Sequence, residues 1–345
     1  MLRTLLVGSL ILLLPLGALG VSLHDLVKRD AKDHKSPWNY EDKTGVSLHD
    51  LVKRDAKDHK SPWNYEDKTG PRHWAEMYKK CGGSRQSPID IVKEEVDLND
   101  ELDAFEFDNY EDNLSGATIE NNGHTVEIKP GPKDEARLID EGGMDDTYQF
   151  IQLHFHWGAD SKRGSEHLID GKKFPLEMHF VHMNTNYKTK EKASMKEDGL
   201  AVLGVLFKID DEDNPALTPI IDKLDDIRNE GDKVNMDDFT LESLLPDDLM
   251  PYYRYKGSLT TPPCSEIVTW TVFTDYVPIS EKQLQQFRNV KENDEGEAPE
   301  SLVDNFRPVQ PLNGRIIEIS GDGNSARVIG PSVALVGLAA LAFFY

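Results

Sequence analysis

Gln152-Leu153-His154-Phe155-His156-Trp157, followed after a short connection by Glu177-Met178-His179-Phe180-Val181-His182, decides how this chain is read. Both pieces are rich in β-forming residues and alternate, so each predicts a strand in which residues two apart share a face. His154 and His156 then project together. If the second strand pairs beside the first, His179 joins them as a third imidazole, the number of protein ligands a catalytic zinc keeps while leaving one position open. Glu177 precedes His179 by two residues and Gln152 precedes His154 by two. Each stands where it accepts the far N–H of a ligating ring, which fixes ring orientation and basicity. A His-x-His pair alone is shared with cupins and several metallohydrolases. Upstream, Ser165-Glu166-His167 offers a carboxylate able to accept a proton from a hydroxyl, and His182 falls on the opposite face from His179.

The chain of 345 residues has room for one large domain. Its formal charge of −23 argues against binding a nucleic-acid backbone, which needs Lys and Arg in excess. At the start, Arg3, an apolar run from Leu5 to Leu16 and the exit Ala18-Leu19-Gly20 have the layout of a secretory signal peptide over 1–20. That route leads to an oxidising compartment. The two cysteines, Cys81 and Cys264, allow one intrachain pairing there, or two buried thiols.

A charged leader fills 21–62, and residues 21–45 recur unchanged at 46–70. Two copies are too few for a solenoid, and His24, His34, His49 and His59 are scattered among Lys and Asp without ligand spacing. From Trp63 to Ser320 short alternating segments are separated by Gly, Pro, Asn and Asp: Ala117 to Lys129, Tyr148 to Trp157, Pro175 to Met183, Leu200 to Ile209 and Ile267 to Phe273. The rhythm is mainly β (α+β), one domain with a few short helices such as Asn214 to Arg228. The acidic stretch Lys291 to Glu300 reads as a solvated loop, and Asn113-Leu114-Ser115 is an N-glycosylation acceptor. Residues 321–345 end in a charge-free tail from Val328 to Tyr345 behind small residues. This is the pattern of a GPI-attachment signal with Asn324 or Ser325 as the attachment point, the alternative being a terminal transmembrane helix.

Gln149-Phe150-Ile151-Gln152-Leu153-His154-Phe155-His156-Trp157-Gly158, Gly164-Ser165-Glu166-His167, Glu177 to His182 and Gly257-Ser258-Leu259-Thr260-Thr261-Pro262-Pro263-Cys264 together resemble the signature segments of the α-class carbonic anhydrases. The likeness extends from Trp63-Asn64-Tyr65 through Arg85 to Ile91 and Asn122-Gly123-His124 to Asn305-Phe306-Arg307-Pro308. It implies a single domain around a large twisted, mostly antiparallel sheet, and zinc-dependent hydration of carbon dioxide to bicarbonate and a proton by zinc-bound hydroxide. By the same resemblance, zinc sits on His154, His156 and His179. Thr260 orients the attacking oxygen through Glu166, and His124 shuttles the proton, with Tyr65 and Asn122 holding the water chain. Val181, Val202, Leu259 and Trp270 form the wall for carbon dioxide, Thr261 borders bicarbonate, and Gln152, Glu177 and Asn305 support the ligands. Cys81 and Cys264 match the bridge of the secreted and membrane-bound members, which implies an enzyme on the outer face of the plasma membrane, held by a lipid anchor or secreted, and open to sulfonamide-type inhibitors.

A carbonic-anhydrase-like binding or matrix protein that handles calcium is the rival reading, and loss of a ligand histidine would be its mark; all three are present. Glu127 falls where the family more often has a neutral amide. If it faces the cavity, its charge raises the pKa of His124 and slows proton release. Only the second Trp-Asn-Tyr, Trp63 to Tyr65, stands at the family's distance from Gly70-Pro71-Arg72-His73-Trp74, so the first repeat copy is expected outside the catalytic fold.

Overall fold

The structure, a computed structural model, describes residues 63–66, 68–236, 239–292 and 300–321. The chain divides into two compact units, 1–62 and 63–345, and the first lies outside the described residues. So do the signal sequence, the first repeat copy, the interior of the acidic stretch at 293–299, and the tail with Asn324 and Ser325.

The described strands in chain order are β1 (Asp90–Ile91), β2 (Asp97–Asn99), β3 (Phe105–Asp108), β4 (Ala117–Asn121), β5 (Val126–Lys129), β6 (Leu138–Glu141), β7 (Tyr148–Trp157) and β8 (Leu168–Ile169). There follow β9 (Leu176–Asn184), β10 (Leu200–Asp210), β11 (Lys233–Met236), β12 (Tyr252–Gly257), β13 (Val268–Phe273), β14 (Val277–Ser280) and β15 (Glu318–Ser320). The main sheet runs β11-β4-β5-β7-β9-β10-β13-β12-β15-β2, with β3, β6 and β14 attached beside that path. Most neighbours are antiparallel; β10 pairs in parallel with β13 and β14, and β15 with β2. The expected large, mostly antiparallel sheet is therefore present.

β7 and β9 lie at the centre, and one irregularity decides what they present. Opposite β9, Phe150 pairs with His182 and Gln152 with Val181, so Ile151 is an extra residue that breaks the register. A bulge resets which face successive side chains occupy. Tyr148 and Phe150 point to the same buried core as Leu153, Phe155 and Trp157, while Gln152, His154 and His156 turn to the other side. Were Ile151 a regular strand position, Tyr148 and Phe150 would fall on the same face as Gln152, His154 and His156.

Below the sheet, Leu153, Phe155, Trp157, Met178, Phe180 and Leu203 pack with Leu284 and Phe287 of the helix Glu281–Arg288. Ser280 and Gln283 close the start of that helix as a capping box, satisfying two otherwise free backbone donors. Two sequence expectations change in detail. Ala117 to Lys129 is a hairpin of β4 and β5, turned at Gly123 with φ of 83°. Asn214 to Arg228 is a 3-10 turn at Pro215–Leu217 and a single helical turn at Thr218–Ile221, because Pro219 lacks the N–H that would join them into one helix.

Cys81 and Cys264 form a disulfide across 183 residues, packed with Trp74. Replacing both cysteines by serine should lower the free energy of unfolding by about 2–5 kcal/mol, read from urea denaturation of the oxidised wild type and the variant.

Candidate metal centre

Register brings the three imidazoles together. His154 pairs with His179 across β7 and β9, and His156 stands two residues along the same face. Their ligand nitrogens all lie within 4.8 Å of one another. The other nitrogen of each ring has a fixed acceptor: His154 Nδ1 donates to Gln152 Oε1 at 2.8 Å, His156 Nδ1 to the Asn305 carbonyl at 2.8 Å, and His179 Nε2 to Glu177 Oε1 at 2.7 Å. A neutral imidazole has one N–H. His154 Nε2, His156 Nε2 and His179 Nδ1 are therefore all lone-pair nitrogens, and they face each other at 3.2 Å (His156 to His179) and 3.3 Å (His154 to His179). Protonation does not relieve this opposition, since burial first and mutual repulsion second push the His154 pKa well down, and burial also lowers that of His156. A cation held in common relieves it.

The charges around the rings agree. Glu166 and Glu177 are fully buried, and one buried guanidinium, Arg307, stands with them. Burial pulls Arg307 down to about 10, which leaves it charged at neutral pH. Two carboxylates against one cation leave a negative excess that a divalent ion on three neutral rings reverses. Glu177 accepts the N–H of His179, the His167 ring (2.6 Å), and the backbone N–H groups of Glu166 (2.7 Å) and His167 (2.8 Å). Burial opposes its charge, but His167 and His179 outweigh that and hold it well below the usual carboxylate range. Glu166 is arranged differently. Its Oε1 accepts the Arg307 backbone N–H at 2.8 Å, while Oε2, 3.4 Å from His156 Nε2, has no hydrogen-bond partner. The Thr260 hydroxyl, expected to donate to Glu166, is thus not bonded to Oε2 in this geometry. An orphaned buried carboxylate oxygen beside three facing lone pairs fits a site built for a metal ion and its bound solvent.

Bonds reach outward from the rings to the loop that carries Thr260. His167 Nε2 meets the Tyr255 hydroxyl at 2.7 Å, Tyr255 meets Ser87 Oγ at 2.8 Å, and Ser87 Oγ accepts the Ser258 N–H at 3.0 Å. Leu259 N–H donates to the Ser265 carbonyl, and the loop closes at the Cys81–Cys264 bridge. On the far side Asn305 is a hub: its carbonyl holds His156, Oδ1 accepts Trp157 N–H at 2.8 Å, and Nδ2 donates to the His124 carbonyl at 3.0 Å. Thr125, which sequence reading passed over, locks the same turn to β7 by accepting the Phe155 N–H at 3.1 Å. The β propensity of that residue gave no sign of this role.

His124 departs from expectation. Its ring stacks on Trp63 with centroids 3.9 Å apart, and burial lowers its pKa to about 4, the opposite of the rise expected from Glu127. Glu127 does share the ligand face, as the cross-strand partner of His154, but its carboxylate is ion-paired with Lys129. Its charge is matched within the rim, and burial against Trp63, not Glu127, sets the basicity of His124. Asn122 Oδ1 accepts the backbone N–H groups of His124 and Thr125, both at 3.0 Å, so its oxygen is committed to the turn. Tyr65 lies near enough to feel Glu166 and Arg307; burial first, then Glu166, pushes its phenol well up, which keeps it neutral.

Val181, Val202 and Trp270 are cross-strand neighbours on β9, β10 and β13, in one apolar cluster against which Leu259 packs. The Trp270 ring lies 4.8 Å from His179. Thr261 accepts the Cys264 N–H through its carbonyl at 2.9 Å. His182 stays apart from the three rings, buried in the opposite face and bonded to the Tyr110 hydroxyl.

A three-histidine cluster on the middle strands of a large mixed sheet, with an apolar wall on one flank, is an arrangement able to hold a single metal ion in the manner of the carbonic anhydrases. The eukaryotic-type carbonic anhydrase family model matches residues 69–321, and the chain belongs to that family. It is 40% identical over 251 residues to Carbonic anhydrase 7 of Mus musculus, covering 72% of this chain and 94% of the relative. Against Carbonic anhydrase 15 of Mus musculus it is 40% identical over 279 residues, covering 78% and 86%. Carbonic anhydrase 7 of Homo sapiens gives 40% over 251 residues, with coverage of 72% and 94%.

Removing the Trp63 ring should return the His124 pKa from about 4 toward its ordinary 6.5, read by NMR titration of the imidazole in Trp63→Ala. A depressed pKa in the folded state means that the unfolded chain binds this proton first. The wild type should therefore lose stability as pH falls from about 6.5 toward 4, and Trp63→Ala should show a shallower loss in that window.

Proposed function

We propose that zinc sits on His154, His156 and His179, and that the hydration of carbon dioxide common to the family runs above it on the outer side of the cell membrane. The convergence of three lone-pair nitrogens, each ring fixed by its own acceptor, carries this reading. When bound, zinc acts as a Lewis acid that makes a water-derived nucleophile available at neutral pH; carbonic anhydrases are the reference case for that effect. Gln152, Asn305 and Glu177 hold the rings in the ligating tautomer.

Glu166 Oε2, which has no hydrogen-bond partner in this geometry, would receive the Thr260 hydroxyl when the metal and its solvent are bound, which would turn that hydroxyl's lone pairs toward the site and orient the attacking oxygen. Val181, Val202, Leu259 and Trp270 exclude water from the place taken by carbon dioxide, and Thr261 borders the bicarbonate position. His124 carries the proton outward, with Tyr65 and Asn122 bounding its path. Primary sulfonamides are the expected inhibitors.

The catalytic domain spans 63–320. Placement outside the cell is supported by the apolar N-terminal segment with its small-residue exit, and by the disulfide, which persists in oxidising compartments. Asn113 and Ser115 are exposed around a buried Leu114, so a glycan on Asn113 projects into solvent. The charge-free tail supports a GPI anchor at Asn324 or Ser325. Among the described residues no helix is long and apolar enough to cross a membrane.

Purified protein should contain zinc and hydrate carbon dioxide in stopped flow, and His154→Ala should lose both; a metal-free, inactive wild type would overturn the assignment. Glu177→Gln should weaken zinc binding about 10- to 100-fold in competition with a chelator. Treating expressing cells with a phosphatidylinositol-specific phospholipase should release the enzyme, and retention on the membrane counts against the lipid anchor.

A further inference from the structure

A second concavity, of about 290 Å³, lies behind the active-site loop, outside the metal centre. Ser265, Glu266 and Ile267 of the chain just past the disulfide line it, and Lys80, Gly83 and the turn Ser194 to Glu197 complete it. Glu197 and Glu266 are both engaged by Arg85, at 3.0 Å and 3.6 Å, and Glu266 Oε1 also accepts the Arg85 backbone N–H at 2.7 Å and Gln86 Nε2 at 2.9 Å. Lys80 Nζ donates to the neutral Ser265 hydroxyl at 3.1 Å, and Lys196 Nζ lies 5.9 Å from the Tyr187 ring centroid. Among the described residues neither ammonium has a carboxylate partner. The lining itself carries two ammoniums, Lys80 and Lys196, and two carboxylates, Glu197 and Glu266, and Arg85 beside it engages both carboxylates, in a chain whose formal charge is −23.

The remaining lining is apolar at Met195, which is 73% exposed, and at Ile267, which is 6% exposed. The floor is rigid: the Ser265 carbonyl accepts the Leu259 N–H at 3.0 Å, and the adjacent Cys264 is tied to Cys81. A preformed floor spares a ligand the cost of ordering it. With the Glu197 and Glu266 carboxylates of the same lining engaged by Arg85, the Lys80 and Lys196 ammoniums supply donors for an oxyanion. Met195 and Ile267 offer a surface to something apolar attached to it.

We propose that this pocket binds a small organic anion, a phosphate, sulfate or carboxylate head on a compact apolar body, with Lys80 and Lys196 on the head and Met195 against the body. The site is separate from the metal cavity and does not depend on the metal's identity.

Phenyl phosphate is the probe, titrated calorimetrically at constant ionic strength into the full-length, zinc-loaded enzyme with and without a saturating primary sulfonamide. One molecule should bind per chain at millimolar concentration or below, with the same affinity whether or not the sulfonamide is present. Phenol and inorganic phosphate, each lacking one half of the ligand, should each bind at least about tenfold more weakly. Lys80→Met combined with Lys196→Met should weaken phenyl phosphate about tenfold or more. Met195→Glu, a change at an exposed side chain that leaves both lysines in place, should do the same. A near-native carbon dioxide hydration rate in each variant certifies that the fold is intact. Absence of binding to the wild type, displacement by the sulfonamide, or indifference to both sets of substitutions would overturn the proposal.

Discussion

Three imidazole nitrogens that point their lone pairs at one another are the constraint on which the rest of this structure depends. Left to themselves such groups repel, and in water they would rotate away. Here they cannot. Gln152, the Asn305 carbonyl and Glu177 each take the N–H on the far side of a ring, which fixes both its tautomer and its orientation. The fold itself holds the opposition, and His156 and His179 are almost completely buried, so a cation taken up here would meet groups already desolvated.

Those supports are themselves supported, and the chain of bonds explains why residues far apart in sequence act as one device. Glu177 is held by two backbone N–H groups and by His167. His167 leads through Tyr255 and Ser87 to the segment before Thr260. Arg307 joins a third region, donating to Gln86, to the Ser87 and Cys81 carbonyls and, through its backbone, to Glu166. Burying so many polar groups is costly unless each is paired, and here nearly all are. Two atoms of this network lack a hydrogen-bond partner, Arg307 Nε and Glu166 Oε2, and the latter lies 3.4 Å from His156 Nε2.

The outer rim obeys different physics. His124 sits half-buried with its ring stacked on Trp63, and its low basicity is an effect of desolvation. Glu127 lies on the ligand face, yet its charge is absorbed by Lys129, and Glu120 is in turn bonded to Lys129 and Lys233. A row of alternating charges across β11, β4 and β5 therefore presents little net field to the cavity. The expectation that Glu127 would raise the pKa of His124 failed because sequence position reveals a neighbour's charge and not its partner.

Much of the fold and of the centre was legible from local pattern. Alternation in Gln152 to Trp157 and Glu177 to His182 identified strands, and spacing of two placed His154 with His156, Glu177 with His179 and Gln152 with His154, because the period of a strand is a property of the backbone. What pattern could not supply was anything that depends on which segments meet. The Ile151 bulge that puts Phe150 and Leu153 on one face, the pairing of His154 with His179, the Asn305 carbonyl on His156 and the Trp63 cover on His124 join residues between 3 and 149 positions apart. Their geometry was decided only when the sheet closed: side-chain type is written along the chain, whereas burial, tautomer and charge balance belong to neighbours that packing selects.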